Sequence, residues 1–180
     1  MGPTVYAGGF KSPRGGYVLV VEDNLVNLRL TQLLLEKAGF TVTTATSGPD
    51  ALDAFLEVAF DLVLMDVQMP GMDGLETTAA IRRISEAGAK VPVVALTAYA
   101  MQRDRERFTA AGTDYYIAKP VDREELFRVV ERCMNSIVRK DEVQPPSGSG
   151  DAVPAAPQID VHKALAVLPA SLVERREDPL

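Results

Sequence analysis

The sequence predicts an α/β fold, a doubly wound sheet of five parallel strands, between Tyr17 and about residue 139. Short apolar runs alternate with amphipathic stretches, which is the pattern of successive β–α units joined by right-handed crossovers. Most of these runs are continuously apolar, as expected for strands that helices cover on both faces. Ligands bind such sheets beyond the carboxyl ends of the strands, so the residues that follow each strand are the first candidates for a functional site.

The elements follow in order from the apolar spacing. Strands are predicted at 17–22 (YVLVVE), 41–45 (TVTTA), 62–65 (LVLM), 93–96 (VVAL) and 115–118 (YYIA). Helical spacing predicts helices at 25–38, 49–57, 75–87, 101–111 and 123–138. Gly39 and Gly112 stand where helices usually stop, and Asp73 and Asp122 are suited to cap the starts of helices.

The first predicted helix carries two apolar stripes on neighbouring faces. Four residues at helical spacing form the first stripe and three form the second: Val26, Leu30, Leu33 and Leu34, then Leu25, Leu28 and Leu35. We expect the first stripe to cover the sheet and both stripes to form one broad core face. The alternative is an exposed apolar strip beside Asp66 on which a partner protein docks.

The remaining parts of the chain predict appendages of the single domain at 17–139. Residues 1–16 are expected to be a flexible extension, 140–158 a linker rich in Pro, Gly and Ser, and 159–180 a tail with one short helix. No apolar run has the length of a membrane span and the N-terminal stretch lacks a signal-peptide core, so we expect a cytoplasmic protein.

Charge and cysteine content exclude several kinds of site. A formal charge of −6 and a pI near 4.9 give no reason to expect direct binding to DNA or to an anionic membrane. The single cysteine, Cys133, excludes an internal disulfide and a Cys-based zinc cluster. Because Cys133 lies in a helical apolar pattern, we expect a buried thiol.

Five side chains with complementary chemistry follow the predicted strands. Glu22 and Asp23 follow the first strand, Asp66 the third, Thr97 the fourth and Lys119 the fifth. Carboxylate ligands without His or Cys suit a hard cation such as Mg²⁺. A carboxylate can also attack a phosphoryl group to form an acyl phosphate, for which a metal, a lysine and a hydroxyl provide positioning and charge neutralisation.

Four segments in order, VLVVEDN, LVLMDVQMPGMDG, VVALTA and YYIAKP, resemble the receiver domain of two-component response regulators, in particular the receivers of hybrid sensor histidine kinases. The resemblance implies a flavodoxin-like (βα)5 fold with strand order 2-1-3-4-5. It also implies that Asp66 accepts a phosphoryl group from a phosphohistidine, with Lys119 and Thr97 contacting the phosphoryl oxygens. Thr97 and Tyr116 would be the switch residues, and the Lys119–Pro120 peptide bond would be cis.

The same resemblance implies a ligand set for Mg²⁺ and two kinds of partner. Asp23, Asp66 and the backbone carbonyl of Gln68 would bind the metal directly, and Glu22 would act on it through water. A histidine kinase or histidine phosphotransfer protein would dock near the first helix. A downstream protein would bind the face formed by the last two helices and the last strand, which changes on phosphorylation.

The sequence leaves two alternatives to a phosphorylated receiver open. A Mg²⁺-dependent phosphatase could use Asp66 as its nucleophile, although Gln68 stands where such enzymes place a second, acidic aspartate. A receiver-like interaction module that is never phosphorylated is a third possibility. The receiver interpretation implies no stand-alone enzyme, only catalysis of phosphorylation and dephosphorylation at the protein's own aspartate.

Two features at the chain ends leave the context of the domain open. The chain starts with Met1 and lacks a kinase ATP-binding motif, which is compatible with a stand-alone receiver or with part of a hybrid kinase. His162, the one histidine, lies in a tail too short for a four-helix phosphotransfer domain, so we do not expect it to be phosphorylated.

Overall fold

A computed structural model describes residues 15–98 and 104–141. Five strands form one parallel sheet in the order β2-β1-β3-β4-β5, which confirms the predicted architecture. The strands are β1 Tyr17–Val21, β2 Thr41–Ala45, β3 Leu62–Asp66, β4 Val93–Thr97 and β5 Tyr115–Ala118. Because the strand order reverses between β1 and β3, the carboxyl ends of these two central strands border the crevice where such folds bind ligands.

The described helices number six rather than the predicted five. They are α1 Leu25–Lys37, α2 Gly48–Glu57, α3 Gly74–Ile84, α4 Glu86–Lys90, α5 Asp104–Ala111 and α6 Arg123–Asp141. The prediction of one helix at 75–87 was wrong because Ser85 is extended, with φ −160° and ψ 171°. The Ser85 hydroxyl oxygen accepts a hydrogen bond from the Gly88 amide at 3.0 Å and so caps the start of a separate short helix.

The predicted helix boundaries are otherwise explained by local chemistry. Asp73 caps α3 in a capping box with Glu76, as predicted, and Asp122 accepts hydrogen bonds from the first amides of α6. Gly39 and Gly112 follow α1 and α5 with φ values of 94° and 90°, a left-handed conformation that glycine adopts without strain. The two aspartates thus fix the starts of α3 and α6, and the two glycines fix the ends of α1 and α5.

Two buried layers lie on opposite faces of the sheet. One joins alternate strand residues such as Leu19 to α2 and α3, and the other joins residues such as Val18 to α1 and α6. Cys133 lies in the second layer and is fully buried, as predicted. Since both faces of the sheet are covered, its exposed functional surface is at the strand ends.

The prediction that the first stripe of α1 covers the sheet and that both stripes form one core face was wrong, and the alternative of an exposed apolar strip is confirmed. The buried residues of α1 are Leu28, Thr31 and Leu35, whereas Leu30 is 52% exposed. Residues 28 and 30 differ by about 200° around a helix, so packing through Leu28 turns Leu30 to the opposite side. Val26 and Leu33 of the first stripe are also exposed, Leu34 packs at the margin of the core, and Leu25 of the second stripe is exposed.

The ends of the predicted domain map lie largely outside the described residues. This applies to the extension at 1–14, the linker and tail from residue 142 onward, His162, and the first residues of the helix predicted at 101–111. Of the helices in the described ranges, none combines the length and the apolarity needed to cross a bilayer.

Candidate functional site

The strand ends bring the predicted site residues together at one edge of the sheet. Asp66 is the last residue of β3 and Thr97 the last of β4, while Glu22 and Lys119 directly follow β1 and β5. Glu22, Asp66 and Thr97 are buried, with exposed fractions of 2%, 1% and 3%. Asp23 is exposed at the rim of the same site. The site therefore combines a buried floor with an accessible carboxylate.

Lys119 bridges the two buried carboxylates. Its ammonium nitrogen lies 2.8 Å from Asp66 Oδ2 and 2.8 Å from Glu22 Oε2. The Lys119–Pro120 peptide bond is cis, as the resemblance implied, and the Lys119 amide donates to the Thr97 carbonyl at 2.7 Å. Burying an unpaired carboxylate is costly, so this shared ammonium is what allows two of them to be buried side by side. The resemblance implied that Lys119 contacts the phosphoryl oxygens, and its pairing with Glu22 is an additional contact.

The second oxygen of Asp66 is held by the loop that follows it. The Gln68 amide donates to Asp66 Oδ1 at 3.0 Å, and the Gly74 amide donates to the Val67 carbonyl at 3.1 Å. A Cβ at Gly74 would lie 1.9 Å from the Asp66 carbonyl oxygen. The start of α3 thus packs directly on the backbone of Asp66, an approach that glycine alone permits. Gly74 is the last residue of the motif MPGMDG, and no local pattern in the sequence reveals its contact with Asp66.

Burial and neighbouring groups shift the pKa values of Asp66 and Lys119. Burial raises the pKa of Asp66 above its usual value, against hydrogen bonds from Lys119 and the Gln68 amide that lower it, and the charge of Glu22 raises it further. Burial alone would lower the pKa of Lys119, but the hydrogen bonds that Lys119 donates to Asp66 and Glu22 outweigh it and raise the pKa. The raised pKa of Lys119 means that it stays protonated beside the buried side chains of Asp66 and Glu22.

The acidic residues fit a divalent cation. Glu22, Asp23 and Asp66 each offer a carboxylate oxygen, and these three oxygens lie within 4.8 Å of one another. An all-oxygen donor set of high negative charge suits Mg²⁺, which prefers one or two carboxylates and keeps several waters. Asp73 stands apart from this cluster as the cap of α3, in agreement with its predicted structural role.

Tyr116 lies on β5, on the side that faces α5. It is partly buried, and its ring centroid is 6.3 Å from that of Phe108 on α5. These two rings border an open cavity of about 240 Å³ between the end of α5 and β5. The backbone bond from Lys119 to Thr97 links this strand to the acidic site.

Comparisons with known proteins agree on one family. The sequence model of the response regulator receiver domain matches residues 18–131. The chain is 44% identical over 119 residues to the hybrid signal transduction histidine kinase I of Dictyostelium discoideum, covering 63% of this chain and 7% of the kinase. It is 41% identical over 104 residues to the polar-differentiation response regulator DivK of Brucella ovis, covering 58% of this chain and 84% of that protein.

A solved structure supports the same grouping. The receiver domain of the sensor histidine kinase PA1611 from Pseudomonas aeruginosa, crystallised with a magnesium ion coordinated in its active-site cleft, superposes with a TM-score of 0.62 and 40% sequence identity. The match covers 67% of this chain and 98% of that domain. The likeness therefore extends over one complete domain, whereas the chain spans 7% of the length of the hybrid kinase.

Proposed function

The chain belongs to the response regulator receiver domain family of two-component phosphorelays, and from this premise we propose that Asp66 accepts a phosphoryl group from a phosphohistidine of a partner protein. The observation that carries the proposal is the position of Asp66: a buried carboxylate paired with Lys119 and clustered with two further acids. Such a group has no structural need to be charged, since an apolar residue could end β3 at lower cost. Its charge is explained by a role as nucleophile.

The transfer would form a bond between an Asp66 oxygen and phosphorus while the bond from phosphorus to the histidine nitrogen breaks. The electron pair of the broken bond stays on the imidazole. Lys119, now shared between Asp66 and Glu22, would turn to the phosphoryl oxygens, and Thr97 would donate its hydroxyl to one of them. The retained contact with Glu22 keeps the ammonium in place during this exchange.

Asp23, Asp66 and the backbone carbonyl of Gln68 would hold Mg²⁺, with Glu22 acting on it through water. The bound ion would neutralise charge on the phosphoryl oxygens, which is the main requirement of phosphoryl transfer. Since Glu22 and Asp66 already share one cation, Asp23 is the acid in this set that remains exposed to receive a second one. Any catalysis would be confined to forming and hydrolysing the acyl phosphate of this protein.

The exposed apolar surface of α1 would dock the phosphohistidine-bearing partner. Among the described residues, four of the five large exposed apolar side chains lie on α1: Leu25, Val26, Leu30 and Leu33. We call them the α1 strip. Exposed apolar surface of this kind is typical of an interaction site, and an amphipathic helix of a partner is a fitting occupant. Its first residues begin two positions after Asp23, beside the acceptor.

The face of α5, β5 and α6 would carry the response to a downstream protein. Tyr116 and Phe108 line the cavity on this face, and β5 continues into Lys119. A movement of Thr97 and Lys119 toward a phosphoryl group would therefore reach Tyr116 through the end of its own strand. This supports the assignment of Thr97 and Tyr116 as the switch residues.

Beryllofluoride or acetyl phosphate with Mg²⁺ tests the assignment of the acceptor. The wild type should bind beryllofluoride and should gain a single phosphoryl group from acetyl phosphate. Asp66→Asn should neither bind beryllofluoride nor be phosphorylated. Asp73→Asn is the matched control, because it changes a nearby acid that caps α3 and should label like the wild type. Equal labelling of Asp66→Asn would show that another residue is the acceptor, and turnover of a general phosphate ester would favour the phosphatase.

A further inference from the structure

Arg82, near the end of α3, joins three segments at the amino-terminal end of the sheet. Its Nε and Nη2 atoms donate to the Gly112 carbonyl at 3.0 and 2.6 Å, and Nη2 also lies 2.9 Å from Asp114 Oδ2. Nη1 donates to the carbonyls of Gly88, at 2.8 Å, and Val91. The side chain is only 18% exposed. One guanidinium thus holds the end of α5, the α4 region and the start of β5.

Asp114 extends this anchor to the sheet. Its Oδ2 atom accepts a hydrogen bond from the Val93 amide at 2.8 Å, and its own amide donates to the Val93 carbonyl at 2.8 Å. Arg82 and Asp114 therefore fix the first residues of both β4 and β5. A planar guanidinium with several fixed donors is needed for this, and a lysine could not reproduce it.

The other end of α3 meets the acceptor. Gly74, the first residue of α3, packs against the carbonyl of Asp66, and Arg82 lies eight positions later on the same helix. The surface formed by α5 and β5, which carries Tyr116, is thus connected to the acidic site at two points. Its carboxyl end joins the site through Lys119, and its amino end is held by Arg82.

We propose that Arg82 is a positioning residue that anchors the surface formed by α5 and β5 at the end where Gly112 and Asp114 lie. Phosphorylation of Asp66 then moves the opposite end of this surface, next to Lys119, while the anchored end stays in place. The inference rests on the proposed function, because it concerns how the response to phosphorylation is distributed. A shift at Thr97 changes the shape of the surface formed by α5 and β5 only if one end of this surface stays fixed. If neither end were fixed, α5 and β5 would move together, and the surface would have the same shape in the unphosphorylated and phosphorylated states.

Arg82→Met in the full chain, compared with Arg83→Met, tests the anchor. Arg83 is the exposed neighbour on α3 and makes none of the contacts described for Arg82, so it controls for loss of a positive charge. NMR would follow beryllofluoride binding in Mg²⁺, the amide shift of Tyr116 and hydrogen exchange of Gly112 and Asp114. Asp114→Asn, which weakens the ion pair but keeps its shape, is the milder variant if Arg82→Met folds poorly.

Arg82→Met and Arg83→Met should both bind beryllofluoride like the wild type. In Arg82→Met the amides of Gly112 and Asp114 should exchange about tenfold faster than in the control, and the beryllofluoride-induced shift of Tyr116 should fall to about half or less. An unchanged Tyr116 shift would overturn the proposal. A uniform increase in exchange that includes buried strand residues such as Leu64 would also overturn it, since that is the result of a purely structural role.

The proposed function has its own distinct failure in this experiment. If the wild type itself binds no beryllofluoride, Asp66 is not the acceptor and the inference falls with it. If the wild type binds and only the Arg82→Met response is unchanged, the acceptor assignment stands and the anchor alone is rejected.

Discussion

Lys119 lies 2.8 Å from Asp66 Oδ2 and is held there by a second carboxylate, Glu22, at the same distance. One ammonium thus compensates two acids that are almost completely buried. Removing the ammonium of Lys119 should therefore leave two buried carboxylates without compensation.

Replacing Lys119 by methionine should destabilise the domain in a pH-dependent manner. Breaking a buried pair by removing one partner costs about 3–5 kcal/mol. The pKa of Asp66 is already raised above its ordinary value, and without Lys119 it should rise further. An acid with a raised pKa in the folded state binds its proton more tightly when folded, so the free energy of unfolding should fall as pH rises through that pKa.

Urea denaturation between pH 4 and 8, without divalent metal, measures this effect. The loss of stability in Lys119→Met should be greatest at the upper end of this range and should shrink as Asp66 becomes protonated. Lys90→Met is the control, because Lys90 forms an exposed i,i+4 pair with Glu86 and should change little at any pH. Parallel curves for Lys119→Met and the wild type would contradict the compensating role of Lys119.

Replacing Gly74 by alanine should displace the acceptor. The added Cβ would meet the Asp66 carbonyl oxygen at 1.9 Å and its carbon at 2.8 Å, and neither can move without shifting β3. We expect a loss of about 3 kcal/mol or more in the free energy of unfolding, together with weaker Mg²⁺ and beryllofluoride binding.

Gly71→Ala separates this overlap from backbone strain. Gly71 has a φ of 79°, but a Cβ there would meet nothing within 4 Å. It should cost about 1–2 kcal/mol through strain and leave the affinity for Mg²⁺ unchanged. Equal effects of the two substitutions on Mg²⁺ binding would show that contact with Asp66 is not what Gly74 provides.

The sequence predicted the parallel sheet and the residues that meet at the strand ends, because the alternation of apolar runs with helical spacing and the polar residue after most strands are local signals. The strand order was implied by the resemblance to receiver domains. The sequence did not predict which stripe of α1 is buried, since Leu28 and Leu30 have the same chemistry and only the tertiary packing chooses between them. It also missed the two hydrogen bonds from Arg82 to the carbonyl of Gly112, thirty residues away, because a backbone acceptor leaves no mark in the sequence.

Cys133 should be almost unreactive in the folded protein. Burial raises the pKa of its thiol to about 12 from 9.0, with the charge of Asp114 adding to the effect. At pH 8 this leaves about a thousandfold less thiolate than an ordinary cysteine, and the thiolate is the reactive form. Labelling by a thiol reagent should therefore be slow in the native protein and fast in urea. Ser136→Cys, an exposed position on the same helix, should label quickly without urea in a Cys133→Ser background.

The α1 strip should decide which proteins can phosphorylate Asp66. Replacing Leu30 by glutamine removes an apolar contact from the strip, yet the side chain is half exposed and the helix tolerates glutamine well, so the fold should be unaffected. We expect phosphotransfer from a histidine-bearing partner that serves the wild type to slow about tenfold or more, as for a residue central to an interface. Labelling by acetyl phosphate needs no docking surface and should keep its rate.

Two controls complete the experiment on α1. Leu28→Ala removes a buried side chain from the same helix and should cost about 2–4 kcal/mol of stability, which shows what disruption of the core looks like. Lys37→Gln changes an exposed residue in the last turn of α1, away from the acidic site, and should leave both reactions unchanged. If Leu30→Gln accepts phosphoryl groups from the partner at the wild-type rate, the partner docks elsewhere. If it slows acetyl phosphate equally, Leu30 acts on the chemistry at Asp66 rather than on recognition.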